Sequence, residues 1–304
     1  MTNENVVYIS TNKIQLVQGS SDNSDMIRIN NFQELPLVEG TMINGVITDE
    51  GQILESLNAL KEQGVKHCRI VIDSGQILVK NVDVPALKKN ELLQVVKNEL
   101  SNLEEGYDDL IYDYSVLREE YKEVDKSGGE ILCCAVERKL ISNYLEVFEN
   151  VGIKIDSVDI SVNTLHKLTN ELIDFEDKTY IVSVVDSNNV SSYLFEKNHY
   201  TFSNRSRLFS ERGTPDFIAE MNSNISQLIQ FNKSQRSPYP IETAFFCGLE
   251  KAEEIALSKM VKDNLEIQAG RFPDSKTIYV TNSAIKDKFY LNDYVYCVGC
   301  LIRK

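Results

Sequence analysis

Residues 180–202 read YIVSVVDSNNVSSYLFEKNHYTF: two apolar runs joined by a polar turn at Asp186 to Asn189, then a second turn at Lys197-Asn198 and a third run around Tyr200 to Phe202. Runs rich in β-branched and aromatic residues and bounded by Asp, Asn and Ser read as strands, so a three-strand meander is predicted. A helix follows, capped by Thr214 with Pro215 in its first turn, and Phe217, Met221, Ile225, Leu228 and Ile229 share one side of it. The same order stands near the N-terminus. There VVYISTNKIQLVQ at 6–18 gives strand, turn at Ser10 to Lys13 and strand, Met26 to Asn30 gives a third strand, and QILESLNALKEQG puts Ile53, Leu57 and Leu60 at helical spacing before Gly64. Two such units about 170 residues apart suggest a duplicated fold.

The block between them has another character. RIVIDS and ILVKNVDVP precede a helix from about Lys89 to Leu103, with Leu92, Val96, Leu100 and Leu103 in one stripe, and DLIYDYSVL and EILCCAVE follow. This reads as an inserted α/β subdomain. RKLISNYLEVFENVG is an amphipathic helix ending at Gly152, KIDSVDI is a short strand, and a helix is expected near Val162 to Ile173. The polar stretch Ser20 to Asp25 reads as a loop. The last stretch, NDYVYCVGCLIRK, is apolar nearly all round, so as a helix it would be buried.

The whole chain has 304 residues, enough for two lobes, and its 42% hydrophobic and 26% charged residues are a globular mixture. Asp and Glu number 46 against 32 Lys and Arg, a formal charge of −14, which opposes attraction to nucleic acid and anionic lipid. The longest apolar run, Tyr294 to Ile302, falls far short of the ~20 residues of a membrane helix, and MTNENVVYIS lacks the basic-then-apolar order of a signal. A soluble, unexported protein is therefore expected. Cys68, Cys133, Cys134, Cys247, Cys297 and Cys300 all lie in or beside apolar runs, which suits reduced core thiols rather than a disulfide framework.

No catalytic motif emerges. Cys297 and Cys300 form a lone C-x-x-C without a second pair, and His67, His166 and His199 are far apart in sequence. Glu104-Glu105, Asp108-Asp109 and Glu119-Glu120 flank turns and read as solvating them rather than as acid–base or metal groups. Arg205, Arg207 and Arg212 form a basic cluster that reads as a solvated loop rather than an anion site. What remains are the two polar turns and FFCGLE at Phe245 to Glu250, since facing hairpin turns can offer N–H groups to phosphates and a glycine turn can approach an adenosine.

Several strings in order resemble the type IV pilus assembly PilM family of the actin-like superfamily, related to the division protein FtsA. They are VKNVDVPALKKNELLQVVKNELS with IYDYSVL, then ILCCAVERKLISNYLEVFENVGIKIDSVDIS, FIAEMNSNISQLIQFN leading to FFCGLE, and the terminal YVYCVGCLIRK. The resemblance implies a two-lobed actin-like, duplicated ribonuclease-H-like α/β fold. Residues 1–67 and 137–178 would form lobe one, 68–136 an inserted partner-binding subdomain, 179–290 lobe two, and 291–304 a buried helix returning to lobe one. It implies a cytoplasmic protein held at the inner face of the membrane through a PilN-like bitopic protein, whose N-terminal segment lies in a groove beside the subdomain. A pilus assembly ATPase and further copies of the chain are other implied partners; nucleic acid and direct membrane insertion are not.

The family's cofactor would be ATP with Mg, held here by Ser10, Thr11, Asn12, Lys13, Asp186, Asn188, Asn189, Glu220, Gly248 and Leu249. Of the glycines usual in its phosphate and adenosine turns only Gly248 stands here, so ATP binding is expected to be weakened or lost and no catalytic residue or metal ligand is assigned. The peptide groove is expected at Pro85, Leu92, Val96, Leu100 and Tyr114, although an amphipathic stripe equally packs on its own sheet. Two alternatives stay open: an active ATPase or sugar-kinase-type phosphotransferase, and a division-type filament protein. The second would carry a C-terminal amphipathic helix, where this sequence stops at Ile302-Arg303-Lys304.

Overall fold

The computed structural model describes residues 3–21, 26–103, 109–119, 128–172 and 175–302. Glu104, Glu105, Asp108 and Glu120, most of the Ser20 to Asp25 stretch, Ile173, Arg303 and Lys304 lie outside them.

Two sheets of matching order build the molecule. In the first, β1 (Glu4–Ile9), β2 (Lys13–Ser21) and β3 (Ile27–Pro36) form an antiparallel meander, and β6 (His67–Ile72) and β10 (Lys154–Ile160) add parallel to β1 on its other side. In the second, β11 (Tyr180–Asp186), β12 (Asn189–Glu196) and β13 (His199–Arg207) make the meander, and β14 (Thr243–Cys247) and β15 (Gln268–Arg271) take the two parallel places. A two-strand ribbon of β4 (Met42–Ile43) and β5 (Val46–Ile47) precedes α1 (Glu50–Glu62).

Helices cover both faces of each sheet. α1 and α3 (Arg138–Asn150) bury Ile53, Leu57, Leu60, Leu140, Tyr144 and Phe148 against the outer face of the first sheet. α5 (Pro215–Ser234) and α6 (Lys251–Leu265) do the same for the second through Phe217, Met221, Ile225, Leu257 and Val261. The Thr214 hydroxyl accepts the Phe217 N–H at 3.2 Å, so the predicted cap forms. Between the lobes α4 (Ser161–Asn170) and α7 (Val295–Leu301) join the inner faces in one core with Val6, Tyr8, Val182, Tyr193 and Phe195. All seven residues of α7 are buried, as its apolar sequence requires. A Cβ on Gly299 would stand 2.0 Å from the Thr164 carbonyl oxygen, so only glycine lets α7 lie this close to α4.

The third body is a sheet of β7 (Leu78–Val84), β9 (Gly129–Glu137) and β8 (Leu110–Glu119), in that order, with α2 (Lys89–Leu100) on one face. Two expected boundaries need correction. β6 sits between β1 and β10 as a central strand of the first sheet, so the insertion begins at Leu78, not at Cys68; the apolar run RIVI belongs where both faces are buried. β16 (Ile278–Val280) pairs parallel with β3, so the chain returns to lobe one before residue 290. The third strand of each meander is also longer than its apolar core, because pairing with the neighbouring strand carries polar residues into the ladder.

Candidate functional site: a bridged cleft and an apolar groove

The first phosphate-type turn and its counterpart face each other across the lobes, and they bind one another. The Thr11 N–H and hydroxyl both donate to the Asp186 carboxylate, at 2.9 and 2.8 Å on Oδ2. Burial raises the Asp186 pKa above the usual carboxylate range, and the Thr11 donors oppose that rise. In the same turn Ser10 N–H returns to the Lys13 carbonyl at 2.9 Å, the Asn12 carbonyl takes the Leu37 N–H at 2.7 Å, and Lys13 Nζ reaches Glu34 at 2.6 Å. Opposite them Ser187 holds φ +52°, a left-handed conformation without glycine, and the Asn188 carbonyl accepts the Leu208 N–H at 2.7 Å. These turns spend their hydrogen-bonding groups on the protein itself.

Arginine fills two further places. Arg212 pairs with Glu253 and donates from Nη2 to the Gly248 carbonyl at 3.1 Å. Gly248 itself is at φ +72°, where a Cβ would meet the Val185 carbonyl oxygen at 2.1 Å, so glycine is required there by packing alone. Arg205 crosses from β13 to lobe one: its guanidinium pairs with Asp73, just after β6, while Nε donates to Asn44 Oδ1 and Nη1 to Ser191 Oγ, both at 2.9 Å. Asp73 also accepts the hydroxyls of Ser161 and Ser191 at 2.7 and 3.0 Å, and Tyr193, hydrogen-bonded to Tyr296 at 2.7 Å, donates to Ser161 at 3.1 Å. Burial works against the Arg205 cation, but Asp73 together with Tyr8, Tyr296 and Tyr193 outweighs it and holds its pKa above the ordinary arginine value.

Arg205 and Arg212 are thus paired inside the fold rather than solvated, whereas Arg207 is exposed, which corrects the reading of the three as one loop cluster. Sequence reasoning passed over Asp73 and Asn44. A carboxylate at the end of an apolar parallel strand, as in IVID, is the one signal that could have marked Asp73.

Ser10, Asn12, Lys13, Asp186 and Gly248 do meet, with Arg212, around a cavity of about 100 Å³. Thr11, Asn188 and Asn189 line a wider mouth of about 500 Å³ with Asn44, Arg205 and Arg207. The other two expected residues lie elsewhere. Glu220 accepts the Phe209 and Ser210 N–H groups at 3.0 and 2.9 Å, and Leu249 packs on the outer core of lobe two.

A second site opens between the inserted sheet and lobe one. The face of that sheet away from α2 presents Ile111, Leu132, Cys134 and Val136, and β10, α3 and β6 close the groove with Val158, Ile160, Ile141 and Ile72. Its volume is about 200 Å³; Asp113, Ser115, Asp159 and Asn163 are the polar groups along it. Asp159 is engaged by Lys167 Nζ at 2.6 Å and Asn163 Nδ2 at 2.8 Å, while Asp113 is exposed. Burial pushes the Cys134 thiol up to about 12, so it is an inert lining group.

Of the residues expected to line a groove, only Tyr114 borders this one. Val96 and Leu100, both 0% exposed, pack with Leu92 on Val84, Ile131, Cys133 and Ala135, and Pro85 is exposed at the far end of β7. The helix stripe covers one face of its own sheet, so the surface left over is the other face. Leu103, assigned to the stripe, is exposed beyond the end of α2.

The family described as type IV pilus assembly protein PilM matches residues 7–214. A structure of the PilM-PilN type IV pilus biogenesis complex superposes with a TM-score of 0.76 at 13% identity, covering 99% of this chain and 98% of that one. A Bacteroides thetaiotaomicron protein with an actin-like ATPase fold gives 0.51 at 10% identity, with 94% of each chain covered. The cytoplasmic domain of EpsL, an inner-membrane component of the type II secretion system of Vibrio cholerae, gives 0.50 at 8% identity over 100% of this chain and 96% of that one. At these identities the likeness is one of fold. No curated protein matches in sequence.

Proposed function

Because the chain belongs to the type IV pilus assembly PilM family, we propose that it is a non-enzymatic scaffold of pilus biogenesis that holds the N-terminal cytoplasmic segment of a PilN-like membrane protein in the groove between its inserted subdomain and lobe one. The observation that carries this is an apolar groove lined by Ile111, Leu132, Val136, Ile141 and Val158, with the acidic Asp113 at its side. Apolar walls with a few polar groups suit a peptide bearing leucine-like side chains, and the chain's charge of −14 favours a basic partner. The fold match to a PilM-PilN complex supports the same choice of partner. No helix among the described residues is long and apolar enough to cross a membrane, and attachment to the inner face of the membrane would come through that partner.

The same reading has ATP binding weakened or lost. A nucleoside triphosphate with Mg does not fit the groups between the lobes: Asp186 is taken up by Thr11, Arg212 is seated on Gly248, and Arg205 neutralises Asp73.

Calorimetric titration with a synthetic peptide of the partner's N-terminal segment tests the proposal, with millimolar Mg-ATP in a parallel arm. Saturable peptide binding that is indifferent to ATP is expected. No peptide binding with or without nucleotide would sink the scaffold reading, and a rise in melting temperature with Mg-ATP would sink the loss of the nucleotide.

A further inference from the structure

Two cavities lie back to back on either side of the chain around Ile77 and Ile160. The groove shares Ile77 and Ile160 with an interlobe cavity of about 270 Å³ lined by Asp73, Ser161, Ser191, Tyr193 and Arg205. These two side chains are the partition between them. Chain connectivity ties the partition to the ion-pair network: Ile72 of the groove precedes Asp73, and Ile160 precedes Ser161.

The network holds both ends of the partition. Ser161, the first residue of α4, donates to Asp73 Oδ1 at 2.7 Å, which fixes the chain after Ile160 to the chain after Ile72. Asn44 accepts the Gly75 N–H on Oδ1 at 3.1 Å and the Ser74 hydroxyl on its carbonyl at 2.8 Å, which fixes the segment leading to Ile77. Among the described residues Arg205 alone bonds to both Asp73 and Asn44, and it comes from lobe two. Its fork geometry lets one side chain serve two acceptors at once, which an ammonium group on a flexible stem does poorly.

We infer that Arg205 is a positioning residue for the groove: from the second lobe it sets the partition of Ile77 and Ile160 through Asp73 and Asn44, so that lobe closure and the shape of the peptide site are one equilibrium. This rests on the groove being the peptide site. The guanidinium, a fixed part of the chain, closes the cleft and leaves the groove preformed before any partner arrives.

Hydrogen exchange and calorimetry on the full chain test it, using Arg205→Ala and Arg205→Lys with the partner's N-terminal segment as probe. In Arg205→Ala, amides at 72–78 and 159–164 should exchange faster while those of β14 and α5 keep their protection. Peptide affinity should fall by about fivefold or more. Arg205→Lys should lie between, and millimolar guanidinium should restore affinity to the alanine variant. Unchanged exchange at the partition in either variant overturns the inference, and so does a loosened partition with unaltered affinity. Should Arg205→Ala fail to fold, the lysine variant decides by the same two readouts. Should the native chain not bind the peptide, the groove reading fails, and the exchange measurement still decides whether Arg205 holds the partition.

Discussion

The cleft between the lobes and the groove beside the insertion are both concave, yet their linings differ in kind. In the cleft the central groups are turned on other residues of the chain: Thr11 on Asp186, Arg212 on Gly248 and Glu253, Arg205 on Asp73, Asn44 and Ser191. In the groove the walls are apolar: Ile72, Leu132 and Val136 are buried members of the cores beneath it, while Ile111, Ile141, Ile160 and Val158 keep part of their surface in water. A concavity that satisfies its own donors and acceptors has little to gain from a ligand. One that leaves apolar surface in water gains from a partner in proportion to the area covered.

The strongest way to break this contrast is to unbalance the cleft. Asp73→Ala leaves the Arg205 cation buried, at 15% side-chain exposure, without its partner, and should cost about 3–5 kcal/mol in urea unfolding. The double change Asp73→Leu with Arg205→Leu should recover most of that loss, since apolar replacements of a buried pair are often neutral. If the single variant were as stable as the native chain, the cleft would not be a structural joint between the lobes.

Next in size is Leu100→Ala, which should cost about 2–5 kcal/mol because the side chain fills the core between α2 and its sheet. The affinity of the folded fraction for the partner peptide should not change. Loss of binding without loss of stability would return the peptide site to the α2 face. Val158→Glu sharpens the other side of the comparison. This groove residue is 37% exposed, so stability should move by less than about 0.5 kcal/mol, while a charge against apolar peptide side chains should weaken binding about tenfold or more in calorimetry.

The smallest effect is one of pH. Burial raises the Glu253 pKa, but the Arg212 pair and the N–H groups of Glu250 and Gly213 outweigh it and hold it below the usual glutamate value. A depressed carboxylate contributes stability that is present above its unfolded pKa and lost as pH falls through its folded pKa. Glu253→Gln should therefore flatten the acid side of the stability profile below about pH 4.5. Asp186 has the opposite sign: burial raises its pKa, so its contribution grows as pH falls, and Asp186→Asn should remove that gain. A thermal melt series across the acid range reads both.

Most of the elements could be read from residue patterns. The turns at Ser10 to Lys13 and at Asp186 to Asn189, the Thr214 cap with Pro215, and the all-apolar final helix each carry a local signal, and each appears where that signal stands. The groove residues were not legible. Leu92, Val96 and Leu100 are a better apolar stripe than Ile111, Leu132 and Val136, and a stripe says only that a face is covered, not by what. The Arg205 cluster misled for a related reason, because local spacing of charges does not show which of them will meet a carboxylate from 132 positions away.

Alternation, capping and turn chemistry act over a few residues, so the chain alone determined two repeated meander-and-helix units, an inserted sheet and a buried terminal helix. Which of the resulting faces close on each other and which stay open depends on contacts between residues such as Thr11 and Asp186, far apart in the chain. Only the assembled structure decided that the cleft would be bridged by its own arginines and that the groove would lie on the uncovered face of the inserted sheet. Satisfaction of buried polar groups and burial of apolar area are properties of the packed whole.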